Sequence, residues 1–395
     1  VSIKLIARTV RGVEYIVADE IESLGLATVT QHPREVTFQA GKVVPALAAL
    51  QTPDDLFLSV GDVTGVGHWK DVVPWLAQYA RRWDWGDAVN VVGRLRKLPE
   101  RRRFDVVASL LGRRNYSRFD VEDEVGSALS DMLSSRYVSR RGDAHDMPQV
   151  DLTVRVFING DRATFALRLA DSPLHRRQYK QDAAPGTLHP PMAAALGRLL
   201  AAKTGETVVD SFCGDGTIPI EIGRLSPGAV VHGSDRDPAR VRNAIANAKR
   251  AGVAVDMTTA DAGELGFADG TVDLVVTNPP WNIAVDATGL LAGGLGRFWA
   301  EVERVLSPTG RMGVIMDADL DAVNQLRRRG FAITLVQSVR LAGRLSEIIV
   351  CTPPGRPSWK LPDGIAVRRQ EALKLGLVTA TGFDSKAQSG QAEAR

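Results

Sequence analysis

Apolar positions along the first third of the chain switch between a period of two and a period near 3.6. Ile3-Lys4-Leu5-Ile6-Ala7 alternates and predicts a strand, while Ile16, Val17, Glu20, Ile21 and Leu24 predict a helix from about Val13 to Leu24, stopped at Gly25. Glu35 to Ala40 and Leu56 to Val63 read as further strands, with a helix expected over Val43 to Leu50. An amphipathic helix is expected over Trp69 to Trp83, with Trp69, Val72, Val73, Leu76 and Tyr79 facing inward. Ala88 to Val92 then reads as a strand, and Phe104 to Leu111 and Val121 to Leu133 as helices. Leu152 to Ile158 and Thr164 to Leu169 read as paired strands, with Asn159-Gly160-Asp161 as a hairpin turn between them. The pattern predicts two α+β modules, at residues 1–65 and 66–170, before a linker at 171–187 that carries Pro185-Gly186.

The second half has a different rhythm, with short apolar strands separated by helices, which predicts an α/β fold over residues 188–355. A helix is expected from Pro190 to Lys203, its prolines in the first turn where a missing N–H is no loss. Strands follow at Thr207 to Val209, Ala229 to Gly233, Val255 to Thr258 and Val272 to Thr277. Beyond them a helix (Leu290 to Leu306), a strand (Met312 to Met316), a helix (Leu320 to Arg329) and two strands (Ile333 to Arg340, Glu347 to Cys351) complete the alternation. The remainder, early in Pro, Gly and Arg and late in Ser, Gln and Ala, predicts a loose arm over 356–395 that ends in disorder.

The strand tips carry the candidate chemistry. Thr207-Val208-Val209 ends at Asp210, turns through Gly214 and Gly216 and opens a helix at Thr217, the pattern of a ligand-binding turn in which backbone approaches a nucleoside closely. Asp235 ends the next strand about 20 residues on, where a carboxylate can bind ribose hydroxyls. Asp261 follows the third strand, and the fourth runs into Asn278-Pro279-Pro280-Trp281. In this order the chain resembles the class I S-adenosylmethionine-dependent methyltransferases whose Asn-Pro-Pro-aromatic motif methylates a planar amine. The resemblance implies a Rossmann-like domain that binds S-adenosylmethionine through Asp210, Phe212, Gly214, Gly216, Thr217, Asp235, Arg236, Asp261, Ala262 and Asn278. It also implies a catalytic set of Asn278, Pro279, Pro280 and Trp281. An exocyclic amine is a poor nucleophile, so the Asn278 side-chain oxygen and the Pro279 carbonyl would orient it by accepting its hydrogens, with Trp281 stacked on the base.

The N-terminal half, α+β and ferredoxin-like at its start, ends in Leu174-His175-Arg176-Arg177-Gln178-Tyr179-Lys180 and resembles a THUMP domain, an RNA-binding module of tRNA-modifying enzymes. Gln178 and Lys180 depart from that family's usual Arg-Gly-Tyr-Arg ending. The whole is similar to THUMP-containing guanosine-N2 tRNA methyltransferases, with Ser211, Asp215 and Trp281 at positions usually Pro, Ser and Tyr or Phe, and Asn282 where Gly often follows. Asp215 is expected to add negative charge near a cationic sulfonium.

Composition, with hydrophobic residues at 44% and charged at 24%, fits an ordinary soluble globular protein. No apolar run approaches a membrane span, so a cytoplasmic protein with no membrane partner is expected. Two cysteines, Cys213 and Cys351, exclude a disulfide framework and a Cys-rich zinc site, and no metal is expected. Net charge is only +3, but nine of the basic residues crowd between Arg94 and Arg118. Arg101, Arg102, Arg103, Arg113 and Arg114 are therefore expected to form one phosphate-binding field, with His175, Arg176, Arg177 and Lys180 as a second grip on RNA. These features leave three readings open. One is methylation of a guanosine N2 amine in RNA, tRNA or rRNA; a second is methylation of a protein glutamine or small-molecule amine; the third is a non-catalytic RNA-binding protein.

Overall fold

The computed structural model describes residues 2–26, 29–41, 45–142, 148–181, 186–281 and 288–380. Its first half contains β1 (Ile3–Arg8), α1 (Glu14–Ser23), β2 (Thr30–His32), β3 (Glu35–Ala40), β4 (Asp55–Thr64), α2 (Val72–Ala80) and α3 (Trp85–Gly93). These are followed by β5 (Arg102–Leu111), α4 (Arg118–Leu129), β6 (Ser135–Tyr137), β7 (Leu152–Asn159) and β8 (Arg162–Arg168). They form one eight-stranded sheet in the order β2-β3-β1-β4-β8-β7-β5-β6. Because β4 pairs with β8, residues 1–65 and 66–170 share a sheet and a single core, in which Leu5, Phe38, Phe104 and Phe165 all take part.

Four local expectations are corrected here. Ala88 to Val92 lies inside helix α3, where Trp85, Ala88, Val89 and Val92 are buried at helical spacing. Phe104 to Leu111 is strand β5, paired in parallel with β6 and β7, and its buried Phe104, Val106 and Ala108 follow a period of two. Each segment is a short apolar run that fits either period, and the neighbouring strands decide between them. Trp69 is 68% exposed, because α2 begins only at Val72. The helix expected from Val43 is a 3-10 turn at Pro45–Ala49, and its first residues lie outside the described residues. The expected hairpin forms with Asn159 opposite Arg162, and Gly160 at φ +59° supplies the left-handed conformation its two-residue turn demands.

The second half contains α5 (Pro190–Leu200), β9 (Thr207–Asp210), α6 (Thr217–Leu225), β10 (Val230–Asp235), α7 (Pro238–Ala251), β11 (Asp256–Thr259) and β12 (Val272–Thr277). After these come α8 (Gly296–Val305), β13 (Leu306–Asp317), α9 (Ala322–Arg328), β14 (Ala332–Leu341), β15 (Arg344–Thr352) and α10 (Asp363–Lys374). The sheet order is β11-β10-β9-β12-β13-β15-β14, parallel through β13 and closed by the antiparallel β15 and β14. This is the Rossmann-like architecture that the strand-helix alternation predicts.

The two halves are joined by more than the chain. Helix α1 places Val17, Ala18 and Ile21 in the first core and Tyr15 and Ile16 in the second. Residues after Pro353 are not a loose arm throughout. Helix α10 packs on α1, burying Ile365 and Ala372 in the second core, and Arg368 pairs with Glu22 at 2.6 Å. Its polar sequence hid this helix, which is held by tertiary contacts rather than by a strong apolar stripe. The disorder expected at the very end falls on residues 381–395, outside the described residues.

Candidate active site

Strands β9 and β12 lie side by side and parallel, so their C-terminal ends open on the same edge of the sheet. To one side of β9 the chain continues to β10 and β11, and to the other β12 leads to β13; ligands of open α/β sheets bind in the crevice at such a reversal. This brings the glycine turn and the Asn-Pro-Pro-Trp motif together across 67 residues, with Thr277 Oγ1 donating to Asp210 Oδ1 at 2.6 Å. A cavity of about 770 Å³ occupies the crevice. Of the expected cofactor residues, Asp210, Phe212, Gly214, Thr217, Asp235, Arg236, Asp261, Ala262 and Asn278 line it, as do Pro279, Pro280 and Trp281. Gly216 does not line it. Gly216 caps α6 at φ +85°, and a Cβ there would sit 3.0 Å from that of Ala244, so its role is to let α6 approach α7.

Three carboxylates from the strand tips line the cavity. Asp210 is wholly buried; Phe212 N–H and Thr277 hold Oδ1, while Oδ2 is buried without a hydrogen-bond partner. Burial pushes its carboxyl up to about 7, and the nearby Asp235 charge adds to the rise. Asp235 accepts from Gly214 N–H and Asp237 N–H, each at 3.0 Å, and so ties the glycine turn to the tip of β10. Each of its oxygens keeps a lone pair for a ligand hydroxyl. Asp261 accepts from Gly263 N–H and Leu290 N–H and lies 3.5 Å from the Arg236 guanidinium. The orphaned Asp210 oxygen and the ring of acidic tips fit a cofactor that is both cationic and a nucleoside. Asp215 does not join them; it is turned away to Thr187, Asn243 and Arg240, so the extra charge expected beside a sulfonium is absent from the cavity wall. Cys213 lines the cavity as a buried thiol whose pKa burial pushes up, the behaviour of a packing residue.

At the end of β12 the Asn278 amide is oriented. Its Nδ2 donates to the Gly186 carbonyl at 3.1 Å, which leaves Oδ1 buried and without a partner. An amide flipped the other way would set oxygen against oxygen, so the acceptor is the end left free. Trp281 Nε1 is likewise buried without a partner. Asn282 lies outside the described residues.

The expected RNA-binding residues are not brought together. None lines the cavity. Because β5 is a strand, Arg101, Arg102 and Arg103 lie at one end and Arg113 and Arg114 beyond the other, about 30 Å apart. Arg114 donates to the carbonyls of Val66, Gly67 and Gly160, and Arg102 to Ser135 and Leu133 O, whereas Arg101, Arg103 and Arg113 are exposed. The His175 to Lys180 segment is an interdomain joint. Arg177 is buried against Glu221 at 2.9 Å and also donates to Gln51 O; Tyr179 donates to the same Glu221 at 2.8 Å. His175 Nδ1 lies 3.2 Å from Asp54 O, and Lys180, pulled down to about 8 by burial, donates to Leu188 O. Only Arg176 of that basic group is exposed. Residues 182–185, between this segment and Gly186, lie outside the described residues.

The cavity wall also contains Asp54, Thr187, His189 and Arg240, none of them among the expected site residues, although Thr187 and His189 belong to a segment similar to the one preceding the glycine turn in THUMP-containing methyltransferases. Asp54 comes from the N-terminal half. Its neighbour in space, His189, stands before a Pro-Pro helix start, and that position was a further available signal. Among the described residues no group of three or more His, Cys, Asp or Glu is arranged to hold a metal ion, and no helix is long and apolar enough to cross a membrane.

Comparison with known proteins agrees with this geometry. Residues 177–347 match the family described as RMKL-like, methyltransferase domain, and residues 4–51 match the RlmL ferredoxin-like domain. The tRNA (guanine(6)-N2)-methyltransferase of Archaeoglobus fulgidus is 23% identical over 275 residues, covering 62% of this chain and 69% of the relative. The enzyme of the same name from Thermus thermophilus is 30% identical over 217 residues, 54% of this chain and 61% of the relative. The crystal structure of TrmN from Thermus thermophilus superimposes with a TM-score of 0.71 at 25% identity, over 89% of this chain and 99% of that one.

Proposed function

We propose, from the premise that this chain carries an RMKL-like methyltransferase domain and is a methyltransferase, that it uses S-adenosylmethionine to methylate the exocyclic N2 amine of a guanosine in RNA, in particular tRNA. The observation that carries this reading is the Asn278 amide, anchored through its nitrogen by Gly186 and offering a buried, unpartnered oxygen to the cavity.

Bound in the crevice, the cofactor supplies an electrophilic methyl on a sulfonium centre. Asp210 and Asp235, which line the cavity, would hold its cationic and hydroxyl groups, and Asp261 with Ala262 lies at the far strand tip. Asn278 Oδ1 and the Pro279 carbonyl accept the two amine hydrogens, so the lone pair that conjugation holds in the ring plane's π system is turned out toward the methyl. Fixed acceptors of this kind lower the barrier without reorganising during the reaction. No side chain need remove a proton beforehand, because the amine proton leaves to water after transfer. Trp281 offers the base a stacking face. RNA docking rests on the exposed Arg101, Arg103, Arg113 and Arg176 of the N-terminal half and the joint, none of which lines the cavity. A grip outside the cavity suits RNA, which is read largely through its backbone, and a paired guanine has to be extruded to reach the site.

Incubation with labelled S-adenosylmethionine and separated tRNA, rRNA and small-amine pools tests the reading. N2-methylguanosine in the tRNA digest is expected. Label in rRNA alone moves the substrate, and label only in a small amine or a protein amide rejects the RNA assignment.

A further inference from the structure

Asp54 and His189 form a polar corner of the same cavity that the reaction as described leaves unused. Asp54 stands at the entry to β4 in the N-terminal half, and His189 caps α5 in the other. Asp54 Oδ1 and His189 Nδ1 face each other at 3.5 Å, and each is buried without a hydrogen-bond partner. Among the described residues no hydrogen bond reaches either carboxylate oxygen of Asp54. A carboxylate with no internal partner at a cavity wall is costly to the fold, and burial raises Asp54 to about 6 despite Arg34, Arg8 and Arg177 nearby. His189 is pulled down to about 4 by burial and by neighbouring cations, so it is neutral at pH 7.

This corner shares its cavity with the amine-orienting Asn278. The Gly186 carbonyl anchors Asn278, and His189 follows three residues later, a span of at most about 11 Å. Asp54, His189 and Asn278 all line the one cavity, so a base edge held at Asn278 can extend to Asp54. Resting on the guanosine reading above, we infer that Asp54 is the specificity-determining acceptor for the ring N1–H of guanine, with His189 holding its second oxygen. N1–H and the N2 amine are adjacent donors on one edge of guanine, and the site then meets them with a row of acceptors: Asp54, Asn278 Oδ1 and Pro279 O. Adenine presents a lone pair at N1, which the carboxylate repels.

The test uses synthetic full-length RNA of the mapped substrate, carrying either guanosine or 2-aminopurine at the modified position. 2-Aminopurine keeps the N2 amine but replaces N1–H with a lone pair. Wild-type enzyme is expected to prefer guanosine by about 30-fold or more in kcat/KM, the scale of rejection when a buried polar group loses its partner. In Asp54→Asn the amide can donate to that lone pair, and the preference is expected to shrink at least about tenfold. Unchanged S-adenosylmethionine affinity and melting temperature certify that the variant is folded. If Asp54→Asn slows both substrates in equal proportion, or leaves both untouched, Asp54 does not read the base and the inference is overturned. If wild-type enzyme makes no N2-methylguanosine at all, the guanosine reading itself fails and this inference with it, an outcome visible before any variant is compared.

Discussion

The crevice at the ends of β9 and β12 and the basic stretch from Arg94 to Arg118 are opposite cases of one problem. Both are local clusters of functional-looking residues. In the crevice, each motif sits on a strand tip, and a parallel sheet gathers all such tips on one edge whatever the length of chain between them. In the basic stretch, the outcome depends on the element between the arginines. A helix over Phe104 to Leu111 would have kept them within about 12 Å, whereas the strand β5 separates them by about 30 Å. Charge proximity in sequence becomes proximity in space only when secondary structure allows it.

The contrast is broken or sharpened most strongly at the joint. Arg177→Ala removes the nearest cation from Glu221, which is fully buried and is left with Tyr179, Gln51 and the more distant Arg224 as partners, and is expected to cost about 2–3 kcal/mol of stability. Urea unfolding measures it; a folded variant of wild-type stability with weakened RNA binding would return Arg177 to the RNA surface. Next comes Asn278→Ala, expected to lower kcat by about 100-fold or more while leaving cofactor affinity nearly intact, the signature of one positioned polar contact. Near-normal single-turnover rates would remove the amine-orienting role.

A smaller effect attends pH. With Asp210 raised to about 7, the folded protein binds more protons than the unfolded chain between the ordinary carboxylate value of 3.8 and about 7. Stability of the cofactor-free protein therefore has this contribution in full below 3.8 and loses it as pH rises to about 7. A cationic ligand favours the ionised form, so affinity for S-adenosylmethionine is expected to rise as pH increases through about 7, by up to about tenfold per unit below it, and then level off. Calorimetry across this range checks the sign, and Asp210→Asn should flatten the curve. The smallest effect is expected at the basic surface. Neutralising Arg101 and Arg103 should lower the salt slope of RNA binding by roughly 1–2, at about 0.7–0.9 per lost phosphate contact, and Arg113→Ala should add to it independently. Filter binding that shows strong coupling between the two ends would mean the RNA spans β5 as one contact.

Legibility followed the physics of each segment. Strands β9 and β12 are buried on both faces and all four strands from β9 to β12 are flanked by glycine or proline, so they stand out, and Val272–Thr277 is found at its expected bounds. Ala88 to Val92 and Phe104 to Leu111 are short runs rich in Val and Leu in which the periods of two and 3.6 coincide too closely to separate. Helix α10 has no strong apolar face, and its place against α1 is set by a surface more than 300 residues away in sequence.

By itself the sequence determined the α/β rhythm of the second half, the glycine turn, the acidic strand tips and the Asn-Pro-Pro-Trp motif, because each is written in residues within one turn or one strand. Tertiary structure alone decided which of the arginines are surface and which are structural, since a guanidinium is drawn to any buried carboxylate or carbonyl within reach. It also decided that Gly186 orients Asn278 and that Asp54, from the other half of the chain, faces the same cavity as His189. Contacts of that kind are made by the packing of α1 and the joint at Glu221 between the two halves, and no local pattern encodes them.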